Sequence, residues 1–158
     1  MNPESEFFEP KLLPGERHEP SIRVSAHKLL GLWLRAEVMM TAVDCRRYCD
    51  RVVNAVLDIV REFQLSYDFP DDRIDHLKRL WGAVAIYLDL ARIVGERNCI
   101  RVVCKHEPLT PDQMKLEIFN ETSRLDERAT KWKRSVLKLS RDKGKTPAAG
   151  RLGQSPKE

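Results

Sequence analysis

The chain has 158 residues, 42% of them hydrophobic and 33% charged, which fits one domain able to bury a single continuous core. No run of about 18 apolar residues occurs, which excludes a conventional membrane-spanning helix. The 28 Lys and Arg against 24 Asp and Glu leave a net charge of only +4, but it is unevenly placed: residues 131–158 hold 9 basic and 2 acidic side chains (+7), leaving 19 and 22 (−3) for residues 1–130. A basic end of this kind favours an anionic partner over a neutral one, or serves solubility alone.

The first twenty residues, "MNPESEFFEPKLLPGERHEP", contain Pro3, Pro10, Pro14, Pro20 and Gly15, which interrupt any long periodic element. A flexible Pro-rich leader over 1–20 is expected, with Phe7, Phe8, Leu12 and Leu13 able to dock on a neighbour. The segment is acidic rather than basic and then apolar, so a non-secreted, cytoplasmic protein with reduced cysteines is expected.

From residue 21 the composition favours helix. A first helix from Ser25 carries Leu29, Leu30, Trp33, Leu34 and Met40. Its end is ambiguous, because "RAEVMMTAVDCRRY" holds neither Pro nor Gly. Either Thr41 or Asp44 caps a new helix, or one helix of nearly forty residues runs through. The second helix covers roughly 44–66, with Cys45, Cys49, Val52, Val56, Ile59 or Val60, and Phe63 inward. After "FPDD" a third covers 71–97; Ile74, Leu77, Trp81, Val84, Leu88 and Ala91 are spaced 3, 4, 3, 4 and 3, predicting an apolar seam. The stretch "CIRVVC" at 99–104 is short enough to be a helix end or a connection.

The closing helix is the best specified. Thr110 as N-cap, Pro111 at the first helical position and Gln113 three residues after the cap form a capping box. Behind them Met114, Ile118, Thr122, Leu125, Ala129, Trp132, Val136 and Leu139 mark a narrow seam. Beyond Ser140, "RDKGKTPAAGRLGQSPKE" has too little apolar content to offset ordering entropy, so 141–158 is expected to be a disordered basic tail. Four amphipathic helices with short links predict an all-α, antiparallel up-down four-helix bundle over 21–140 with flexible tails, and burial of Trp33, Trp81 and Trp132.

Over about residues 45–145 the arrangement resembles the four-helix-bundle accessory proteins of diversity-generating retroelements, the accessory variability determinants, which are related to the bundle proteins encoded in ribosomal RNA intervening sequences. The resemblance rests on "DRVVNAVLDIVREF", on "DDRIDHLKRLWGAVAIYLDLARIVG", and on the Thr-Pro start, the Glu121–Arg124 pair, the later Trp and the basic end of the closing helix. This chain differs in its leader, in a longer link "ERNCIRVVCKHEP", and in lacking "FP" after the first helix. The resemblance implies a non-enzymatic accessory protein that binds the element's reverse transcriptase and template RNA, or an RNA/DNA hybrid, in support of mutagenic reverse transcription. It also implies a homo-oligomer, a pentamer being one ring size open to it. The competing reading is a protein–protein module without nucleic-acid binding.

The anionic partner has a candidate surface. On the closing helix Arg124, Arg128, Lys131, Lys138 and Arg141 fall off the apolar seam, and Arg134, Lys143 and Lys145 add to the basic end. Arg73, Lys78 and Arg79 of the third helix are expected to extend it. Such a face neutralises phosphates without reading bases. Catalytic signatures are missing: "RDKGKT" has Leu139 where a phosphate-binding loop needs its first glycine, and no H-E-x-x-H, G-x-S-x-G or paired E-x-x-H occurs. Asp72, Asp75 and His76 fit a helix N-terminus better than acid–base work. Cys45, Cys49, Cys99 and Cys104 with His106 are the only set that would hold zinc, but the first two lie on the seam where small apolar residues belong, so no metal or cofactor is expected.

Overall fold

The structure, a computed structural model, describes residues 21–145, with the side chains of 22–138. Four helices follow one another: α1 (Ser21–Glu37), α2 (Val43–Asp68), α3 (Arg73–Glu96) and α4 (Pro111–Lys145), with a single 3₁₀ turn at Pro70–Asp72 leading into α3. No strand occurs among the described residues. The predicted all-α four-helix bundle is what forms. The leader and the tail beyond Lys145 lie outside the described residues, and α4 runs five residues past Ser140.

Contacts between side chains set the antiparallel register. Arg23 of α1 donates to Gln64 of α2 at 2.7 Å, while the Cys49 thiol reaches the Trp33 carbonyl. His76 at the start of α3 meets Glu62 near the end of α2 at 2.8 Å. Ser25 donates to Glu121 at 2.7 Å, and Arg35 pairs with Glu107 just before α4, so α1 and α4 run in opposite directions.

The ambiguity after α1 resolves as two helices. Met39 and Met40 are both buried, and the chain turns at Val38–Ala42 so that the Met39 carbonyl accepts from Arg101 and Val102, each at 3.0 Å. Neither expected cap takes the N-cap position; Ala42 does, and Asp44 instead accepts from the Cys45 amide one residue on. At the other corner Thr110 and Gln113 bond reciprocally, side chain to backbone, at 2.9 and 3.1 Å, which is the capping box read from the sequence.

The segment 99–104 is an extended connection. It is aimed by Asn98, whose φ of 52° lies in the left-handed region. The Asn98 amide bonds to the Gly95 carbonyl and the Cys99 amide to that of Val94, a Schellman closure in which Asn takes the place usually held by Gly. Cys99 thereby arrives beside Cys45 and the two form a disulfide with Cα atoms 5.6 Å apart. This corrects the expectation of four reduced thiols: only Cys49 and Cys104 are free. Burial first, then the nearby Glu37 and Asp50 carboxylates, push the Cys49 thiol up to about 12, so it stays protonated beside the bond.

The α4 seam is buried as predicted from Met114 to Val136, with Thr122 half-buried; the Leu139 side chain lies outside the described set. On α3 the inward stripe is displaced. Leu77, Leu80, Val84, Tyr87 and Val94 are buried, whereas Ile74 is exposed and Trp81, Leu88 and Ala91 are half-buried. Trp33 and Trp132 are core residues as expected; Trp81 is only partly so. The reason is where α3 packs: its most extensive contact is with α2, and its contact with α4 is the slightest of the helix pairings in the bundle.

Candidate nucleic-acid interface and an open apolar seam

The basic side of α4 is organised around a buried acid. Glu121 faces inward, 3% exposed, because its position lies between the seam residues Ile118 and Leu125. A buried carboxylate needs partners. It accepts from Ser25 at 2.7 Å and Arg124 at 2.9 Å, with Lys28 at 3.5 Å and Arg128 at 3.9 Å. Burial alone would raise its pKa, but the Ser25 and Arg124 hydrogen bonds and the Lys28 and Arg124 charges outweigh it and hold the carboxyl below its usual range. One negative charge thus gathers three cations, leaving a surplus of two at the solvent edge between α1 and α4.

Eight of the eleven predicted site residues have described side chains. Arg124 and Lys131 are exposed, Lys131 lying 3.5 Å from Glu127. Arg128 is half-buried and donates to the Ser25 hydroxyl at 2.7 Å, which makes it partly structural. Arg134 and Lys138 are exposed and form no ion pair among the described residues. The side chains of Arg141, Lys143 and Lys145 lie outside the described set. Arg73 requires correction: it is 5% exposed, its guanidinium 4.7 Å above the Tyr67 ring, so it is a packing residue and not part of a surface patch. Arg79 is exposed, 3.4 Å from His76 Nδ1, and Lys78 is exposed on α3. Lys28 of α1 joins the α4 cations at Glu121, and sequence reasoning missed it because nothing local ties it to a residue over ninety positions away.

No family of known proteins, curated protein or solved structure matches the chain.

Two groups weighed and set aside in the sequence also have their places. His76 pairs with Glu62 of α2 rather than with Asp72 or Asp75. Cys45 and Cys99, two of the four cysteines weighed as a zinc set, are joined to each other.

A second feature was not foreseen. Where α3 and α4 separate, a groove of about 480 Å³ opens, lined by Leu88, Ala91 and Val94 on one side and by Ile118, Phe119 and Thr122 on the other. Beneath it runs a buried chain of hydrogen bonds: Trp33 Nε1 donates to the Tyr87 hydroxyl at 3.0 Å, and that hydroxyl is hydrogen-bonded to Thr122 Oγ1 at 2.7 Å. Burial, partly offset by these two bonds, pushes the Tyr87 phenol up to about 12, so it stays neutral. Cys99 and Ile100 of the connection close one end of the groove. Further along the same seam, Lys133 reaches from α4 to within 5.5 Å of the Trp81 ring centre. Phe119 stands at the rim, 67% exposed.

Proposed function

We propose that the protein is a non-catalytic helical adaptor that grips RNA, or an RNA/DNA hybrid, along the cationic edge formed by α4 and Lys28 of α1. In line with the likeness noted in its sequence, its protein partner is a reverse transcriptase, its setting a diversity-generating retroelement in the cytoplasm, and its form a homo-oligomer. The observation that carries the reading is the grouping of Lys28, Arg124, Lys131, Arg134 and Lys138 on the solvent side of the bundle with Glu121 buried beneath them. Cations so placed neutralise phosphates and carry no sequence readout.

The test is binding of long structured RNA across a salt series. Five phosphate contacts correspond to a slope of log affinity on log salt of about −3.5 to −4.5. A Lys131→Glu/Arg134→Glu/Lys138→Glu/Arg141→Glu variant keeps its helical circular dichroism and loses most of that slope. Salt-insensitive binding in the parent chain, or no effect of the four changes, counts against the reading.

The groove favours a second reading, a protein–protein module. In that case the fourfold charge reversal leaves partner capture unchanged, and Phe119→Glu abolishes it.

A further inference from the structure

The α3–α4 groove exposes apolar surface that the four helices do not cover themselves, although the same chain carries a second apolar segment outside the bundle. We propose that residues 6–13 of the leader, "EFFEPKLL", fold back over α4 and seat Phe7, Phe8, Leu12 and Leu13 in this groove. The proposal does not rest on the RNA reading.

Reach permits it. The leader joins the bundle at Ser21, about one turn before Ser25. Ser25 is bonded to Glu121, and the next residue of α4, Thr122, lines the groove from the opposite flank of that helix. The chain must pass round the outer side of α4, half the circumference of a cylinder about 10–12 Å across or about 16–19 Å, and also travel about one turn along it. The eight links from Leu13 to Ser21 span up to about 26 Å. Leu13 thus reaches the groove close to full extension, and the Phe pair, five residues further on, has the length to enter it.

Chemistry agrees with reach. The groove surface is mostly apolar, although Arg92, Glu96, Asn98 and Lys115 also line it, and the leader offers two aromatic and two aliphatic side chains in eight residues. Proline fixes φ, so Pro10 and Pro14 lower the backbone entropy that docking of this stretch costs. The leader carries Glu4, Glu6, Glu9, Glu16 and Glu19 against Lys11 and Arg17, a net of −3. Glu16 and Glu19, with Arg17 between them, give the portion that crosses α4 a net charge of −1, and the outer side of α4 presents Arg124, Lys131 and Arg134. The sign of the connecting stretch is thus opposite to that of the face it crosses.

The experiment uses the full chain with Phe8→benzoylphenylalanine as a photoprobe, irradiated at low protein concentration and mapped by mass spectrometry. The expected adduct is intramolecular and joins the probe to residues 88–95 or 115–122. An adduct elsewhere on the bundle, one that links two chains, or no adduct overturns the proposal. Adding Phe119→Glu, a rim change that leaves the core intact, should lower the adduct yield at least fivefold; an unchanged yield is equally fatal. Independently, Phe7→Ser/Phe8→Ser should brighten bound anilinonaphthalene sulfonate several-fold by baring the groove, whereas equal brightness in the two proteins overturns the docking.

Discussion

Replacing Glu121 by Gln isolates what the buried carboxylate contributes. The amide keeps the shape of the side chain and one acceptor for Ser25 or Arg124, but it removes the charge that Lys28, Arg124 and Arg128 surround. Breaking a fully buried ion pair costs about 3–5 kcal/mol. Here the Lys28 and Arg124 side chains are 64% and 51% exposed and regain water when their partner is lost. One hydrogen bond to a charged group, about 1.5–3 kcal/mol, is the better measure, so the loss at neutral pH is about 2 kcal/mol. For a chain of this size that lowers the melting temperature by about 4–8 °C. The pH dependence gives the sign. The carboxyl is held below its unfolded range, so its stabilisation is complete above that range and is lost as pH falls through the folded value. The gap between the thermal melts of the two proteins should therefore narrow as pH falls from 7 to below the usual carboxyl range. A gap that does not narrow, or no gap at pH 7, refutes the electrostatic account of this site.

Thiol titration of the unfolded chain without reductant should find two reactive groups, Cys49 and Cys104, and four after reduction. Cys99→Ser, which opens a loop spanning 54 residues, should lower stability by about 4 kcal/mol on chain-entropy grounds. Tyr87→Phe removes the hydroxyl that links Trp33 to Thr122 and should cost about 1–3 kcal/mol by denaturant melting, with the fold unchanged. Thr110→Ala breaks the capping box and should cost about 1 kcal/mol, visible as fraying of the start of α4 in hydrogen exchange. Arg73→Met should leave the salt slope of RNA binding untouched, since its side chain is in the core, whereas Lys131→Glu should reduce it by about one unit.

Helix α4 was readable almost residue by residue, because its start is a local motif and its apolar residues form a single narrow stripe between charged neighbours. Helix α3 was not. Its pattern is apolar over a wide arc that includes Leu77, Leu80, Val84 and Tyr87 as well as Trp81, Leu88 and Ala91, and only the partner helices decide which edge is covered. The Glu121–Arg124 pair was visible as an i, i+3 spacing, but Ser25 and Lys28, which complete the cluster, are contributed by a helix remote in sequence. Arg73 illustrates the limit of counting charges: a cation at a helix start reads as surface until Tyr67 is placed over it. The disulfide was hidden for a similar reason, since Cys99 meets Cys45 only after Asn98 has turned the chain.

The connection between α3 and α4 is anchored to the α1–α2 corner by the sulfur bridge, by the Met39 carbonyl that receives two amides, by the Arg35–Glu107 pair and by the Cys104 thiol on the Val38 carbonyl. The opposite pole of the bundle, where Ile22, Phe63 and Trp132 meet, is held by side-chain packing without any covalent tie among the described residues. A partner that prises α4 from α3 therefore works against a lever pinned at one extremity. Separation widens with distance from the pin, and Trp132 rather than Met114 is the aromatic or sulfur probe whose surroundings report it first.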